Sequence, residues 1–271
     1  MAEAMISGLI RRSVAAPGQI KASGPEVDRG HELQQRYGIT PLTDNRLAAQ
    51  GADVVVLSVK PQRLGRVLNG LKDGIPPQAL VLSIVAGASI QTIQAGLAHP
   101  NVVRAMPNTP AQIGAGVTVW TCADTVTPQQ NELARQILGA LGEEIFVEEE
   151  TYLDMATAVS GTGPAYVFLF LEAMIDAGVH LGLPRRIAEQ MVVQTLLGSV
   201  EFYKKNKVHP AALRNQVTSP GGTSAAALYY LEKAGFRTAI SRAIWAAYER
   251  SQELGKGNDS NRSLEKNNPN D

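Results

Sequence analysis

The chain has 271 residues, enough for two ordinary domains with separate cores. Its 25 basic and 25 acidic residues cancel, which leaves no electrostatic footprint for nucleic acid or for an anionic membrane surface and makes small-molecule work the default. A single cysteine, Cys122, excludes an internal disulfide, and four scattered histidines suggest no metal centre, so the expected setting is the cytoplasm.

Met1, Met5, Ile6 and Leu9 fall on one face of a 3.6-residue period and predict an opening helix, with Arg11 and Arg12 suited to its last turn. No Ser, Thr, Asp or Asn stands ahead of Met1 to cap that helix. The twin arginine is not followed by an apolar run, so it is not read as an export signal. From Gln19 to about Glu148, β-rich runs alternate with helical patterns: QIKAS then PEVDRGHELQQRYG, VVVLSVK then PQRLGRVLNGL, ALVLSIV then SIQTIQAGL. That alternation predicts a doubly wound α/β domain on a parallel sheet with buried strands. In TPQQNELARQILGALG, Thr127 and Gln130 form a capping box, Pro128 lies in the first turn and Gly142 is expected to end the helix; EIFVE closes the half as a strand.

After Thr151 the pattern turns helical through four or five segments to about Leu254. The stretch from Tyr166 to Val179 is apolar nearly all round and predicts burial in a bundle or a subunit interface. Glu172 and Asp176 interrupt this run, which is read as too short for a membrane span. Glu172, Asp176 and His180 share a face, but no other ligand cluster accompanies them, and they read as a solvated or interface stripe. The expected organisation is an α/β domain over 1–150, a helical domain over 151–254 and a polar, disordered tail over 255–271.

In an open parallel sheet, ligands bind beyond the carboxyl ends of the strands. SVKP (58–61), VAGAS (85–89) and AMPNTP (105–110) are each small-residue or proline-bounded loops in such places. Any one alone is ordinary turn chemistry; three at successive strand ends point to a ligand site. Ser23 closes the QIKAS strand, at the place where an NAD-binding unit puts an acid, and a hydroxyl there, with Lys21 and Asn45 near, leans toward NADP. VTSPGGTSAAALYYLE (217–232) is the most telling stretch. Pro220-Gly221-Gly222 is a tight turn feeding a helix through Thr223 and Ser224, so free amides and hydroxyls converge on an anion site. SGTGPAY (160–166) is expected to form a second loop of this type; Ser160 lacks the setting of a nucleophile elbow, and GKGNDS (255–260) lacks the spacing of a phosphate loop.

Taken together, MAEAMI, DVVVLSVKP, AMPNTPAQIGAG, AVSGTGPAY, GLPRR and VTSPGGTSAAAL make the chain resemble the pyrroline-5-carboxylate reductase family from Met1 to about Leu254. The resemblance implies a Rossmann-like nucleotide-binding domain followed by an all-α dimerisation domain, and reduction of 1-pyrroline-5-carboxylate to proline with NADPH, NADH being admitted. It also implies a homodimer, often assembled further into a decamer of five dimers. It places the cofactor against Ser23, Asn45, Val59, Lys60, Pro61, Ala86, Gly87, Asn108, Thr109 and Pro110, and the substrate carboxylate against Ser219, Gly221, Gly222 and Thr223. Ser224 stands where the family has a hydroxyl, usually Thr, close to the ring nitrogen, and is the catalytic candidate. Members of the family begin with a strand and a glycine-rich turn ending in the Met-Ala-Glu that is residues 1–3 here, so that strand and turn are expected upstream. The alternatives are a related imine or 2-hydroxyacid reductase, or a noncatalytic oligomerising remnant without the glycine loop.

Overall fold

A computed structural model describes the backbone of residues 1–265 and the side chains of residues 1–255. The chain divides into two compact units: Met1–Pro164 together with the segment from Ala246 onward, and Ala165–Trp245. The expected domain boundary at 150 therefore differs from the division seen in space, because the first helical residues after Thr151 pack with the α/β unit.

In the first unit the order is α1 (Ala2–Arg11), β1 (Lys21–Ser23), α2 (Val27–Tyr37), β2 (Thr40–Leu42), α3 (Asn45–Ala49), β3 (Val54–Leu57), α4 (Pro61–Leu71), β4 (Leu80–Ser83), α5 (Ile90–Leu97), β5 (Val102–Met106), β6 (Gly116–Cys122), α6 (Pro128–Gly139), β7 (Gly142–Phe146) and α7 (Tyr152–Ala156). Among the described residues the strands form two sheets, a parallel pair β1-β2 and a five-stranded sheet ordered β3-β4-β5-β6-β7. The larger sheet is mixed. β3, β4 and β5 run parallel, whereas β6 runs antiparallel to β5 with Ala105 opposite Trp120. The purely parallel sheet predicted from the sequence is thus corrected at β6, which reaches β5 through a short 3-10 turn, Thr109–Ile113, instead of a crossover helix.

Period-two alternation divides the core. Leu80 and Leu82 of β4, with Val103 and Ala105 of β5, join Met5, Trp120, Leu138 and Leu141 on one face. Val81 and Val102 join Leu64, Leu68, Ile93 and Leu97 on the other. Helices thus cover both faces, and each fully buried Leu or Ile contributes about 1.5–3 kcal/mol relative to exposure. β3 departs from the expected buried run: it pairs only with β4 among the described strands, and Val56 is 37% exposed. The Thr127–Gln130 capping box forms, at 3.2 and 3.0 Å, but α6 ends at Gly139 and Gly142, at φ 142°, opens β7 against Gly116.

The opening helix forms as its periodicity predicts, with Met1 as an N-cap that offers no side-chain hydrogen bond. Glu3 ties it to α2, accepting from the Tyr37 hydroxyl at 3.0 Å, from Arg36 at 3.0 Å and from Arg29. The Tyr37 hydrogen bond, followed by the two guanidinium groups, outweighs the opposing effect of desolvation and holds the Glu3 carboxyl below the ordinary carboxylate range.

The second unit takes in most of α8 (Gly163–His180), then α9 (Arg185–Asn206), α10 (Pro210–Gln216), α11 (Thr223–Lys233) and the start of α12 (Phe236–Glu265). Its core is an α8–α9 hairpin in which Ile175, Ala188 and Val192 are buried against Leu171, Met174 and Leu196. Gly178 permits that approach, since a Cβ there would lie 3.1 Å from the Ala188 methyl. The predicted burial of 166–179 is not met within the chain: Val167, Phe168 and Leu169 are 56%, 63% and 67% exposed, and of α8 only Ile175 is buried. One stretch, Tyr152–His180, is long and apolar enough to cross a membrane by length and composition. The sequence suggested too short a run because it placed a loop at 160–166, where the helix continues. Asp176 within it is ion-paired to Arg185 at 2.7 Å. The tail predicted to be disordered from 255 is helical as far as Glu265, a continuation of α12, and the rest lies outside the described residues.

Candidate functional site

Because β3, β4 and β5 are parallel, their carboxyl ends at Leu57, Ser83 and Met106 lie on one edge of the sheet. The structure therefore brings the three sequence-predicted loops together. Lys60 is the N-cap of α4 with Pro61 in its first turn, so Val59-Lys60-Pro61 opens onto a helix N-terminus. After β4, Gly87 at φ 71° lets the chain turn back to Ser89, whose hydroxyl accepts from the Thr92 amide at 3.1 Å and caps α5. One side of Gly87 is taken, since a Cβ there would meet the Gly255 nitrogen of α12 at 3.0 Å. Asn108-Thr109-Pro110 follows β5 into the 3-10 turn. The Asn108 side chain is a strut: it donates to the Ser160 carbonyl at 3.2 Å and accepts from the Val117 amide at 3.0 Å.

At the end of β1 the Ser23 hydroxyl donates to Asn45 Oδ1 at 2.8 Å, which joins the two residues predicted to face a ribose. Lys21 does not turn to them; its ammonium donates to the Gln50 carbonyl at 3.0 Å. The neutral pair, with no carboxylate in it, fits a cofactor that carries a 2'-phosphate.

In the helical unit, Ser219, Gly221, Gly222, Thr223 and Ser224 form one turn. The Gly222 amide donates to the Ser219 carbonyl at 3.0 Å, and Gly221 sits at φ 73°, a left-handed conformation that favours glycine. Gly222 is the N-cap of α11 and provides no side chain to cap it. The leading amides of an 11-residue helix thus emerge beside the Thr223 and Ser224 hydroxyls, an arrangement that attracts a carboxylate. SGTGPAY is not the second loop that was expected. Thr157–Gly161 is a π-helical turn that runs into α8, where Ser160 Oγ donates back to the Ala156 carbonyl at 2.9 Å. Gly163 and Pro164 read as breakers, yet both fall in the first turn of α8, where proline is tolerated.

Sequence reasoning missed a buried ionic group. Arg104, 6% exposed on β5, donates to Glu150 at 2.9 Å and to Asp154 at 3.0 Å. The available signal was an arginine inside the apolar strand VVRAM, since a buried charge must be paired. Burial, outweighing a weak hydrogen bond from Asn131, pushes the Cys122 thiol above its usual range.

Residues 150–254 match the family model of the pyrroline-5-carboxylate reductase dimerisation domain, and residues 1–87 match that of the coenzyme F420-dependent NADP oxidoreductases. The chain is 47% identical over 256 residues to the pyrroline-5-carboxylate reductase of Synechocystis sp., covering 94% of this chain and 95% of that one. To the Escherichia coli enzyme of that name it is 37% identical over 257 residues, with coverage of 94% and 95%. Among solved structures, Plasmodium falciparum pyrroline carboxylate reductase with NADP bound superposes with a TM-score of 0.85 at 33% identity, covering 93% of each chain. Prephenate dehydrogenase from A. aeolicus, at 13% identity and a TM-score of 0.51, shares the fold alone. Similarity to these relatives over nearly its whole length establishes that the protein belongs to the pyrroline-5-carboxylate reductase family.

Proposed function

We propose that the chain reduces 1-pyrroline-5-carboxylate to L-proline with NADPH, the last step of proline biosynthesis. The observation that carries this reading is the mouth of α11, where a Pro-Gly-Gly turn leaves the first amides uncapped beside two hydroxyls. Bound NADPH supplies a hydride. Ser23 and Asn45 would hold its 2'-phosphate end, and Val59-Lys60-Pro61, Ala86-Gly87 and Asn108-Thr109-Pro110 would line its path along the sheet edge. Ser219, Gly221, Gly222 and Thr223 would grip the substrate carboxylate, and Ser224 would orient the ring nitrogen. A cyclic imine is basic enough to take its proton from solvent, so the site needs positioning more than a strong side-chain acid. Nothing in the Ser23–Asn45 pair demands a phosphate, and NADH fits as a weaker alternative.

The exposed apolar side chains of α8 and α9, among them Phe168, Leu169, Val193 and Leu197, support a homodimer in which a second copy covers them. A decamer of five dimers is the larger assembly in this reading. The same dimer accounts for the apolar Tyr152–His180 stretch without a membrane and suits a cytoplasmic enzyme. Turnover with pyrroline-5-carboxylate, set against a panel of oxo and hydroxy acids, tests the substrate class. Preference for the cyclic imine is expected, and faster reduction of a 2-oxo acid would assign the chain to another reductase class.

A further inference from the structure

We propose that Arg104 is a positioning residue for the dinucleotide, acting through Glu150 on one end of the Ala86–Gly87 loop and through Asp154 and Ser251 on the helix that covers it. The proposal rests on the assignment of that loop to the cofactor. Arg104 pairs in register with Ser83, the last residue of β4, and so stands beside the point where the loop leaves the sheet. Its Nη1 donates to Glu150 Oε1 at 2.9 Å, and the same oxygen accepts from the Ile90 amide at 2.9 Å, where the loop enters α5. One end of the loop is thus held by the backbone pairing of residue 104 with Ser83, and the other is tied through Glu150 to the guanidinium of the same residue.

The other branch leads to α12. Arg104 Nη2 donates to Asp154 Oδ1 at 3.0 Å, which also accepts from Ser251 Oγ at 3.2 Å, and Ser251 is 4% exposed. One turn further along α12, the backbone of Leu254 and Gly255 lies against Gly87. The contacts close a ring: arginine, two carboxylates, the start of α5, the loop, and the helix on top of it. A buried ion pair is a weak source of stability compared with a packed apolar group, so general stabilisation explains this ring poorly. Its planar fork, which holds two carboxylates at fixed angles, suits the setting of a backbone loop.

The test measures NADPH affinity by fluorescence titration, the KM of the imine and the thermal midpoint in the full chain. Glu150→Gln keeps an acceptor for the Ile90 amide but removes the charge, and should weaken NADPH binding roughly two- to thirtyfold while the imine KM stays within about twofold. Arg104→Lys, with charge but no fork, should fall between the parent and Arg104→Met. Ser251→Ala should shift NADPH affinity in the same direction by less, and it decides the matter if Glu150→Gln does not fold. Ala86→Leu places bulk in the loop itself and should weaken NADPH directly. If Ala86→Leu weakens binding while Glu150→Gln and Ser251→Ala leave it unchanged, the positioning role is overturned. If Ala86→Leu has no effect, the loop is not the cofactor's, and the assignment falls together with the proposal.

Discussion

The Ser23 hydroxyl donates to Asn45 Oδ1 at 2.8 Å, so the end of β1 and the first residue of α3 present one neutral polar surface where an NAD-specific site would hold an acid. Ser23→Asp would put a carboxylate against both the Asn45 oxygen and any 2'-phosphate. The ratio of kcat/KM for NADPH to that for NADH should fall by about tenfold or more. An unmoved ratio would mean that the 2'-position is read elsewhere.

Ser224 lies in the first turn of α11, just past the glycine N-cap. Replacing it with Ala removes the donor proposed to orient the ring nitrogen and should lower kcat by roughly ten- to a thousandfold, with little change in NADPH affinity. Steady-state kinetics with a parallel cofactor titration separates the two effects. Unchanged turnover would remove Ser224 from the mechanism.

Local grammar carried much of this structure. The α1 periodicity, the Thr127–Gln130 box and the glycine turn before α11 are all signals between residues a few positions apart, and each appears as expected. β6 went unread although GVTVWTC alternates buried and half-buried positions over most of its length, because its antiparallel return breaks the strand-helix rhythm that organised the reading. The Arg104 ring was illegible for a different reason. Its partners stand 46 and 50 residues away, and nothing local pairs them. Gly163 and Pro164 misled because glycine and proline end one element and begin another with equal ease.

The Glu3 carboxyl titrates below its unfolded value, so its contribution to stability is present above the ordinary carboxylate pKa and is lost as pH falls through the folded one. Glu3→Gln cannot titrate there. The Tm gap between the chain and this variant should be widest above the ordinary carboxylate pKa and should close as the pH falls through the lowered, folded-state one. A gap that stays constant with pH would show that Tyr37, Arg29 and Arg36 hold Glu3 by shape alone.

The exposed apolar face of α8 gives a direct test of assembly. Phe168→Glu and Leu169→Glu place charges on side chains 63% and 67% exposed in the single chain, so neither should disturb the fold of one copy. Buried at a subunit interface, each charge would cost several kcal/mol. Light scattering should find the parent dimeric or larger and the double variant monomeric. A double variant that assembles as the parent does would place the interface elsewhere.

In the proposed function the Pro220-Gly221-Gly222 turn and the start of α11 select a cyclic imine by its carboxylate. The most direct measurement compares kcat/KM for 1-pyrroline-5-carboxylate with that for 1-pyrroline, which has the same ring and imine but no carboxylate, at saturating NADPH with L-proline formation quantified. Stoichiometric proline and a preference of roughly a hundredfold or more for the carboxylate are expected. Equal rates on the two imines, or no proline at all, would contradict the proposed function.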